Sequence, residues 1–330
     1  MTEESLRGRR ILVTGATGFL GAALVRTLVD READVTILVR DANPRRPLFE
    51  SDVYSRVAVV SGALEDDRAI ERALVQHEID TVFHLGAQTL VGPAYREPLG
   101  TFESNIRGTY LLLDACRRQA RSVRRIVVAS SDKAYGSVDV LPYTEDTPLA
   151  GRHPYDVSKS CTDLIAQTYA TTYGLPVTIA RCGNIFGHGD VNYSRLVPGT
   201  IRSLLVGERP VIRSDGTYRR DYIFLDDAVA AYMMLAEHAA DDTVRGRGFN
   251  FGPGRSHSVI EVVDAIRDEF GPDALAADIR DEAVAEIHDQ HLAVDRARTT
   301  FGFHCRTGFV EALRRTIPWY RERLGATRGR

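Results

Sequence analysis

Tyr155-Asp156-Val157-Ser158-Lys159 sets a phenol and an ammonium four residues apart. On a helix that spacing puts both side chains on one face. A nearby ammonium stabilises a tyrosinate and lowers a pKa that is about 10 in water. Tyrosine then becomes a usable acceptor for the proton of an alcohol under oxidation. An apolar run ending in Ser130-Ser131 precedes the pair, and Ser131 can hydrogen-bond the same alcohol oxygen. A second motif binds phosphate. Arg10–Thr14 runs straight into Gly15-Ala16-Thr17-Gly18-Phe19-Leu20-Gly21. Three glycines here make a tight turn, let the backbone approach a pyrophosphate and let helix pack closely on strand. The helix N-terminus adds N–H groups and the positive end of its dipole.

The next apolar run ends at Arg40-Asp41. A carboxylate there would hold the adenosine 2′-hydroxyl of NAD, and an Arg would pair with the 2′-phosphate of NADP. The two are adjacent, so both cofactors stay open on the residues alone. His288 and His291 have the spacing of a metal pair, but no further Cys or His ligands stand nearby. No metal site is expected.

These residues need elements to position them. Short apolar runs at Arg10–Thr14, Asp34–Val39, Val57–Val60, Thr81–His84, Arg125–Ala129 and Pro176–Ala180 read as strands buried on both faces. Helical patterns at Ala22–Asp30, Ala69–Gln76, Thr101–Gln119 and Tyr155–Tyr173 lie between them. The alternation predicts βαβ units and a doubly wound parallel sheet, an α/β fold. After about Asn184 the rhythm changes, and Pro and Gly punctuate longer loops. Helices are expected at Val197–Val206, Asp226–Glu237, Val259–Glu269 and Gly308–Leu324, in a smaller α+β lobe. The nucleotide domain is read as 1–185, with segments near 221–252 returning to it. Residues 186–330 are mainly the second lobe.

Composition narrows the class. The chain has 330 residues and a net charge of −3, and all but two of its 42 basic residues are Arg. The exceptions are Lys133 and Lys159. Near-neutral charge argues against nucleic-acid binding. No apolar run is long enough for a transmembrane helix. The start MTEESLRGRR lacks the apolar stretch of a secretory signal. Cys116, Cys161, Cys182 and Cys305 form no CxxC pair, so a reduced cytoplasmic chain is expected.

GATGFLG, FHLGAQ, ESNIRGT, SSDKAYG, PYDVSK, RCGNIFG and RRDYIFLDD occur in this order. Nearly the whole chain resembles an extended short-chain dehydrogenase/reductase of the nucleotide-sugar epimerase/dehydratase family. The resemblance implies a Rossmann domain, a sugar-nucleotide lobe and tightly bound NAD(P), with NAD favoured. It places Gly15, Thr17, Gly18, Phe19, Leu20, Gly21, Arg40, Asp41, Leu64, Leu85, Ala87, Gln88, Asn105, Tyr155 and Lys159 at the cofactor. It places Gln88, Asn184, Arg195, Leu196 and Arg220 at the substrate, and the planar fork of Arg220 suits a diphosphate. It also implies a homodimer, for which Thr101–Gln119 and Tyr155–Tyr173 are long enough to build a four-helix interface.

Ser131-Asp132-Lys133 discriminates within the family. The Asp-Lys pair resembles that of CDP-glucose 4,6-dehydratases, as do AQTLVGPAYREP and HDQHLAVDRAR. Val191 stands where those proteins usually carry Trp, and Ala63 where the family usually carries Asp. The implied reaction oxidises the sugar at C4 and eliminates water across C5 and C6, with Asp132 as acid and Lys133 as base or charge partner. A 4-epimerase needs no acid near C6 and is the alternative. A non-catalytic dinucleotide-sensing or nucleic-acid-binding relative is a further one, weakened because Ser131, Tyr155 and Lys159 are all kept.

Overall fold

The computed structural model describes residues 6–44, 46–282 and 287–328. The start of the chain, where no secretory signal is expected, lies partly outside them. The described chain divides into two units. The first holds residues 1–139, 145–182 and 228–250 and the second 140–144, 183–227 and 251–330.

In chain order the first unit runs β1 (Arg10–Thr14), α1 (Phe19–Asp30), β2 (Asp34–Val39), β3 (Ala58–Ser61), α2 (Asp67–Gln76), β4 (Thr81–His84), α3 (Val91–Arg96), α4 (Pro98–Phe102), α5 (Gly108–Arg118), β5 (Arg125–Ala129), α6 (Pro154–Tyr173) and β6 (Val177–Cys182). The chain continues through β7 (Asn184–Phe186), α7 (Leu196–Val206), β8 (Val211–Ile212), β9 (Arg219–Phe224), α8 (Leu225–His238), β10 (Gly248–Phe251), β11 (Ser256–Ser258), α9 (Val259–Asp268), β12 (Asp278–Ile279), β13 (Asp289–Gln290), α10 (Asp295–Phe301) and α11 (Phe309–Arg328).

The main sheet has seven strands in the order β10-β6-β5-β4-β1-β2-β3. β1 pairs in parallel with β2 on one side and β4 on the other. The order therefore reverses beside β1, and the carboxyl ends of β1 and β4 open at that switch, where doubly wound sheets bind ligands. β1, β2, β4 and β6 are buried along nearly their whole length, which explains their unbroken apolar runs. Leu12, Val82, Ile126, Val128 and Ile179 from the sheet pack with Leu112, Leu113 and Ala166 from α5 and α6. This doubly wound parallel sheet is the Rossmann-type fold expected above.

In the second unit β9 is the hub. It pairs with β7 and β13 in parallel and with β11 antiparallel. Phe186, Tyr222 and Phe224 pack there with Val197 and Ile201 of α7, Ile266 of α9 and Leu313, Ile317 and Tyr320 of α11. This is the smaller α+β lobe.

One expectation is corrected. Thr101–Gln119 is not a continuous α-helix. α4 ends at Phe102, a π-helical turn spans Glu103–Arg107, and α5 begins at Gly108. The apolar periodicity carries no mark of this widened turn. Its cause is tertiary: the Asn105 carbonyl takes side-chain hydroxyl bonds from Thr109 and from Thr162 of α6. The sequence also carried no reading of α3, where Gly92 and Pro93 mask a short helix.

Candidate active site

The glycine loop is built by exclusion. Gly15 has φ +72°, and a Cβ on it would lie 2.6 Å from the Gly86 nitrogen. A Cβ on Gly21 would lie 2.1 Å from the Gly15 carbonyl oxygen. The loops after β1 and β4 thus touch through backbone, and α1 packs onto the loop that feeds it. No side chain caps α1, and its first turn has no acidic residue. Its leading N–H groups and dipole suit an anion. The residues therefore fit a dinucleotide pyrophosphate. Gly15, Thr17, Gly18, Phe19, Leu20 and Gly21 all lie in this loop and turn, and Leu85, Ala87 and Gln88 lie in the loop after β4. Leu64 approaches both, since a Cβ on Gly86 or Gly108 would meet it within 2.8 Å.

Arg40 and Asp41 follow β2 and pair with each other at 2.7 Å while both stay exposed. Such a pair contributes roughly 0–1 kcal/mol. Either partner can be drawn to a ribose or phosphate at little cost.

α6 brings the catalytic candidates together. Lys159 is 4% exposed, and its Nζ donates to the Ala129 carbonyl at the end of β5 (2.6 Å). Burial pulls its pKa down to about 8, against the opposing pull of the Asp163 carboxylate. The Ser160 hydroxyl donates to the Ala134 carbonyl at 2.8 Å, tying the same helix to the turn after β5. Tyr155 is half-buried one helical turn before Lys159. The Tyr232 hydroxyl of α8 meets Cys182 and lies close to Tyr155.

Residues Asp132–Tyr135 form a 3₁₀ turn directly after β5. Asp132 is 4% exposed. The Ser131 hydroxyl donates to Asp132 Oδ1 (3.0 Å) and accepts the Lys133 N–H (3.2 Å). The Lys133 Nζ stands 3.6 Å from Asp132 Oδ2. Ser131, expected at the substrate alcohol, is thus engaged with its own turn. Asp156, not singled out from the sequence, belongs to this cluster. Burial raises its pKa, the Lys133 charge lowers it, and the Asp132 charge raises it again.

A buried network fixes the far end of the turn. Arg181 on β6 makes a two-pronged ion pair with Asp163 of α6, at 2.8 and 2.9 Å. It also donates to the Tyr135 hydroxyl at 2.9 Å, which donates to Asn250 Oδ1 at 2.7 Å. The bidentate pair raises the Arg181 pKa further, despite burial. Neither Arg181 nor Asp163 stood out in the sequence, because only the fold makes them neighbours. Asn105 is enclosed in the π-turn. Its amide donates to the Gln88 carbonyl (3.0 Å) and Ser158 Oγ (2.9 Å), and its oxygen accepts the Gln88 N–H (2.7 Å).

The second unit holds the remaining candidates. Arg220 donates from Nη1 to the Arg219 and His288 carbonyls, at 2.8 and 2.7 Å, and from Nη2 to Ile287. Its described hydrogen bonds all go to carbonyl oxygens, and its guanidinium lies 6.0 Å from the centre of the Tyr218 ring. Arg195 precedes α7, which Leu196 opens, and pairs with Asp190 at 2.9 Å. Asn184 on β7 hydrogen-bonds Tyr222 of β9. Asp221 and Asp227 of the RRDYIFLDD stretch hold backbone N–H groups of Leu292, Arg306 and Thr307. His288 bonds Thr217 and Asp289. Among the described residues no cluster of His, Cys, Asp or Glu can hold a metal ion, and no helix is long and apolar enough to cross a membrane.

This arrangement has relatives. The CDP-glucose 4,6-dehydratase of Salmonella typhimurium is 28% identical over 329 residues, 96% of this chain and 91% of that protein. The dTDP-glucose 4,6-dehydratase DesIV of Streptomyces venezuelae, solved with NAD and TYD bound, superposes with a TM-score of 0.84 at 28% identity, over 96% of this chain and 98% of that one. The UDP-glucose 4-epimerase of Thermotoga maritima, solved with UDP-glucose, superposes with a TM-score of 0.86 at 27% identity, over 95% and 99%. Residues 11–252, from β1 through the last strand of the main sheet, match the NAD dependent epimerase/dehydratase family, and this chain belongs to that family of nucleotide-sugar enzymes.

Proposed function

We propose that this protein is an NDP-hexose 4,6-dehydratase acting on a CDP-glucose-like substrate and using tightly held NAD. The observation that carries the reading is the Asp132–Lys133 pair in the turn after β5, with Asp132 buried and Lys133 partly exposed. Elimination of water across C5 and C6 needs one group to take a proton and another to give one. A carboxylate and an ammonium in contact contain both once a single proton crosses between them. The product is a carboxylic acid and an amine, the two forms the elimination needs. Asp132 then protonates the departing C6 hydroxyl, and Lys133 removes the C5 proton.

The other residues take supporting roles. Tyr155 accepts the C4 hydroxyl proton, and the Lys159 ammonium stabilises the resulting tyrosinate. Bound NAD supplies reversible hydride acceptance. The glycine loop would hold its pyrophosphate, with Arg40 and Asp41 near the adenosine ribose. Asn184, Arg195, Leu196 and Arg220 are assigned to the sugar nucleotide, with Arg220 on its diphosphate. The setting we propose is a cytoplasmic homodimer. Free Cys116, Cys161, Cys182 and Cys305 support the compartment. Exposed Tyr110 on α5 and Leu164 and Tyr173 on α6 support a helical dimer face.

A 4-epimerase is the second reading, favoured by the superposition on the Thermotoga enzyme. Product NMR after incubation with CDP-, dTDP-, UDP- and GDP-glucose separates the two. A 4-keto-6-deoxy sugar is expected, and a C4-inverted sugar with its C6 oxygen retained overturns the proposal. Asp132→Ala is expected to block water loss while C4 oxidation persists, read as C6 deoxygenation against cofactor reduction in one turnover.

A further inference from the structure

The first unit contains a buried run of hydrogen bonds whose two ends are backbone groups. The Gly86 N–H donates to Thr14 Oγ at 3.1 Å. Thr14 Oγ lies 2.8 Å from His84 Nδ1, and His84 Nε2 lies 3.0 Å from Thr109 Oγ. The Thr109 hydroxyl donates to the Asn105 carbonyl. A backbone N–H can only donate and a carbonyl can only accept, so the ends set the direction. Thr109 has one hydroxyl proton, and Asn105 takes it. Thr109 must therefore accept from His84, whose proton sits on Nε2. A neutral ring then accepts at Nδ1, and the Thr14 hydroxyl supplies that proton while its oxygen receives Gly86.

The run links parts of the site that lie far apart in sequence. Thr14 is the last residue of β1, and Gly15 follows it. Gly86 lies in the loop after β4. Asn105 is the centre of the π-turn, and its amide reaches Gln88 and Ser158. The Ser158 hydroxyl donates to the Tyr155 carbonyl at 2.7 Å. We infer that His84, as its Nε2–H tautomer, is a positioning residue that sets the glycine loop against the π-turn and, through Asn105 and Ser158, against Tyr155. The widened turn then has a purpose: it presents the Asn105 carbonyl to two hydroxyls and its amide to two loops. Neutrality is part of the design, because a second cation would face the Lys159 ammonium. Burial, and then that charge, hold the His84 pKa down to about 3.

The inference rests on Tyr155 being the reactive tyrosine, and its first test needs neither cofactor nor substrate. Full-length protein labelled with ¹⁵N-histidine is examined by NMR between about pH 5.5 and 8, a range spanning the free histidine pKa. Nine histidines are present, and His84→Phe identifies the signal by its loss. If that variant does not fold, Thr109→Val identifies it by its shift. A His84 ring protonated on Nε2, bare on Nδ1 and invariant with pH is expected. Protonation on Nδ1, or titration inside that range, overturns the inference.

The second test uses the NAD-loaded enzyme. Thr109→Val and His84→Phe are each expected to lower kcat about tenfold with KM for the sugar nucleotide within about twofold. The double variant is expected to be no worse than the poorer single, since both cut one chain. His84→Gln, which keeps a donor toward Thr109, is expected to recover part of the loss. Additive losses, or a raised KM with kcat unchanged, overturn the positioning role. An epimerase product alters neither test, whereas it overturns the dehydratase reading.

Discussion

Two Arg–carboxylate pairs show how differently the two units use charge. Arg181–Asp163 in the first unit is enclosed, with side chains 4% and 0% exposed. Arg195–Asp190 in the second keeps its carboxylate buried and its guanidinium 39% exposed. The described hydrogen bonds of Arg220 in the same unit all go to carbonyl oxygens. The first unit spends its buried charge on geometry: Arg181 and Asp163 lock β6, α6 and Tyr135. In the second, the Arg195 guanidinium is open to solvent and Arg220 hydrogen-bonds only neutral carbonyls among the described residues, so a phosphate can compete for either. Ionic groups of one chemical type are thus scaffold in one place and candidate binding surface in another, and burial decides which.

Five single substitutions press on that contrast, in falling order of effect. Tyr155→Phe is expected to lower kcat by about a thousandfold or more, because no other group replaces its proton transfer. Lys159→Met is expected to be comparably inactive yet more stable. The folded pKa of Lys159, about 8, lies below its free value of 10.5. The unfolded chain therefore binds more protons between these values, and stability rises with pH across that window. Below pH 8 the burial penalty is complete, so cofactor-free Lys159→Met should exceed the parent by about 1–2 kcal/mol at pH 7. Denaturant titration at pH 7 and 10 checks this, and the gap should shrink at the higher pH.

Arg181→Met is expected to cost about 3–5 kcal/mol, because it strands the buried Asp163 carboxylate. Arg181→Met with Asp163→Leu should recover much of that loss. A small effect of the single substitution would erase the distinction between the units. Arg220→Gln is its counterpart: stability within about 0.5 kcal/mol of the parent, with KM for the sugar nucleotide raised about tenfold. A large loss of stability there would instead make Arg220 scaffold. The smallest effect is expected at Arg40. Its ion pair with Asp41 is exposed, so Arg40→Ala should leave NAD affinity within about threefold. Equilibrium titration with NAD and NADP checks this, and a selective fall in NADP affinity would assign Arg40 to a 2′-phosphate.

Strands and most helices were legible because burial on both faces leaves unbroken apolar runs. β1, β2, β4 and β5 begin and end where those runs do. The proposed catalytic pair, Tyr155 and Lys159, could be picked out for a similarly local reason, since a four-residue spacing puts both on one face of a helix. The π-turn at Asn105 was not. Its stabilising partner Thr162 lies 57 residues away, and nothing within Thr101–Gln119 signals it. Asp156 was in view beside Tyr155, but its partnership with Asp132 and Lys133 appears only once α6 packs on the turn after β5.

Local chemistry therefore came from sequence alone: a glycine loop before a helix, a tyrosine four residues before a lysine, an acid and a base side by side. Those features depend on residue type and short spacing, which the chain carries whether folded or not. The tertiary structure decided which charges are enclosed, which histidine proton is held, and where a helix widens. Those depend on desolvation and on hydrogen-bond partners from distant segments, and neither exists before the chain has packed.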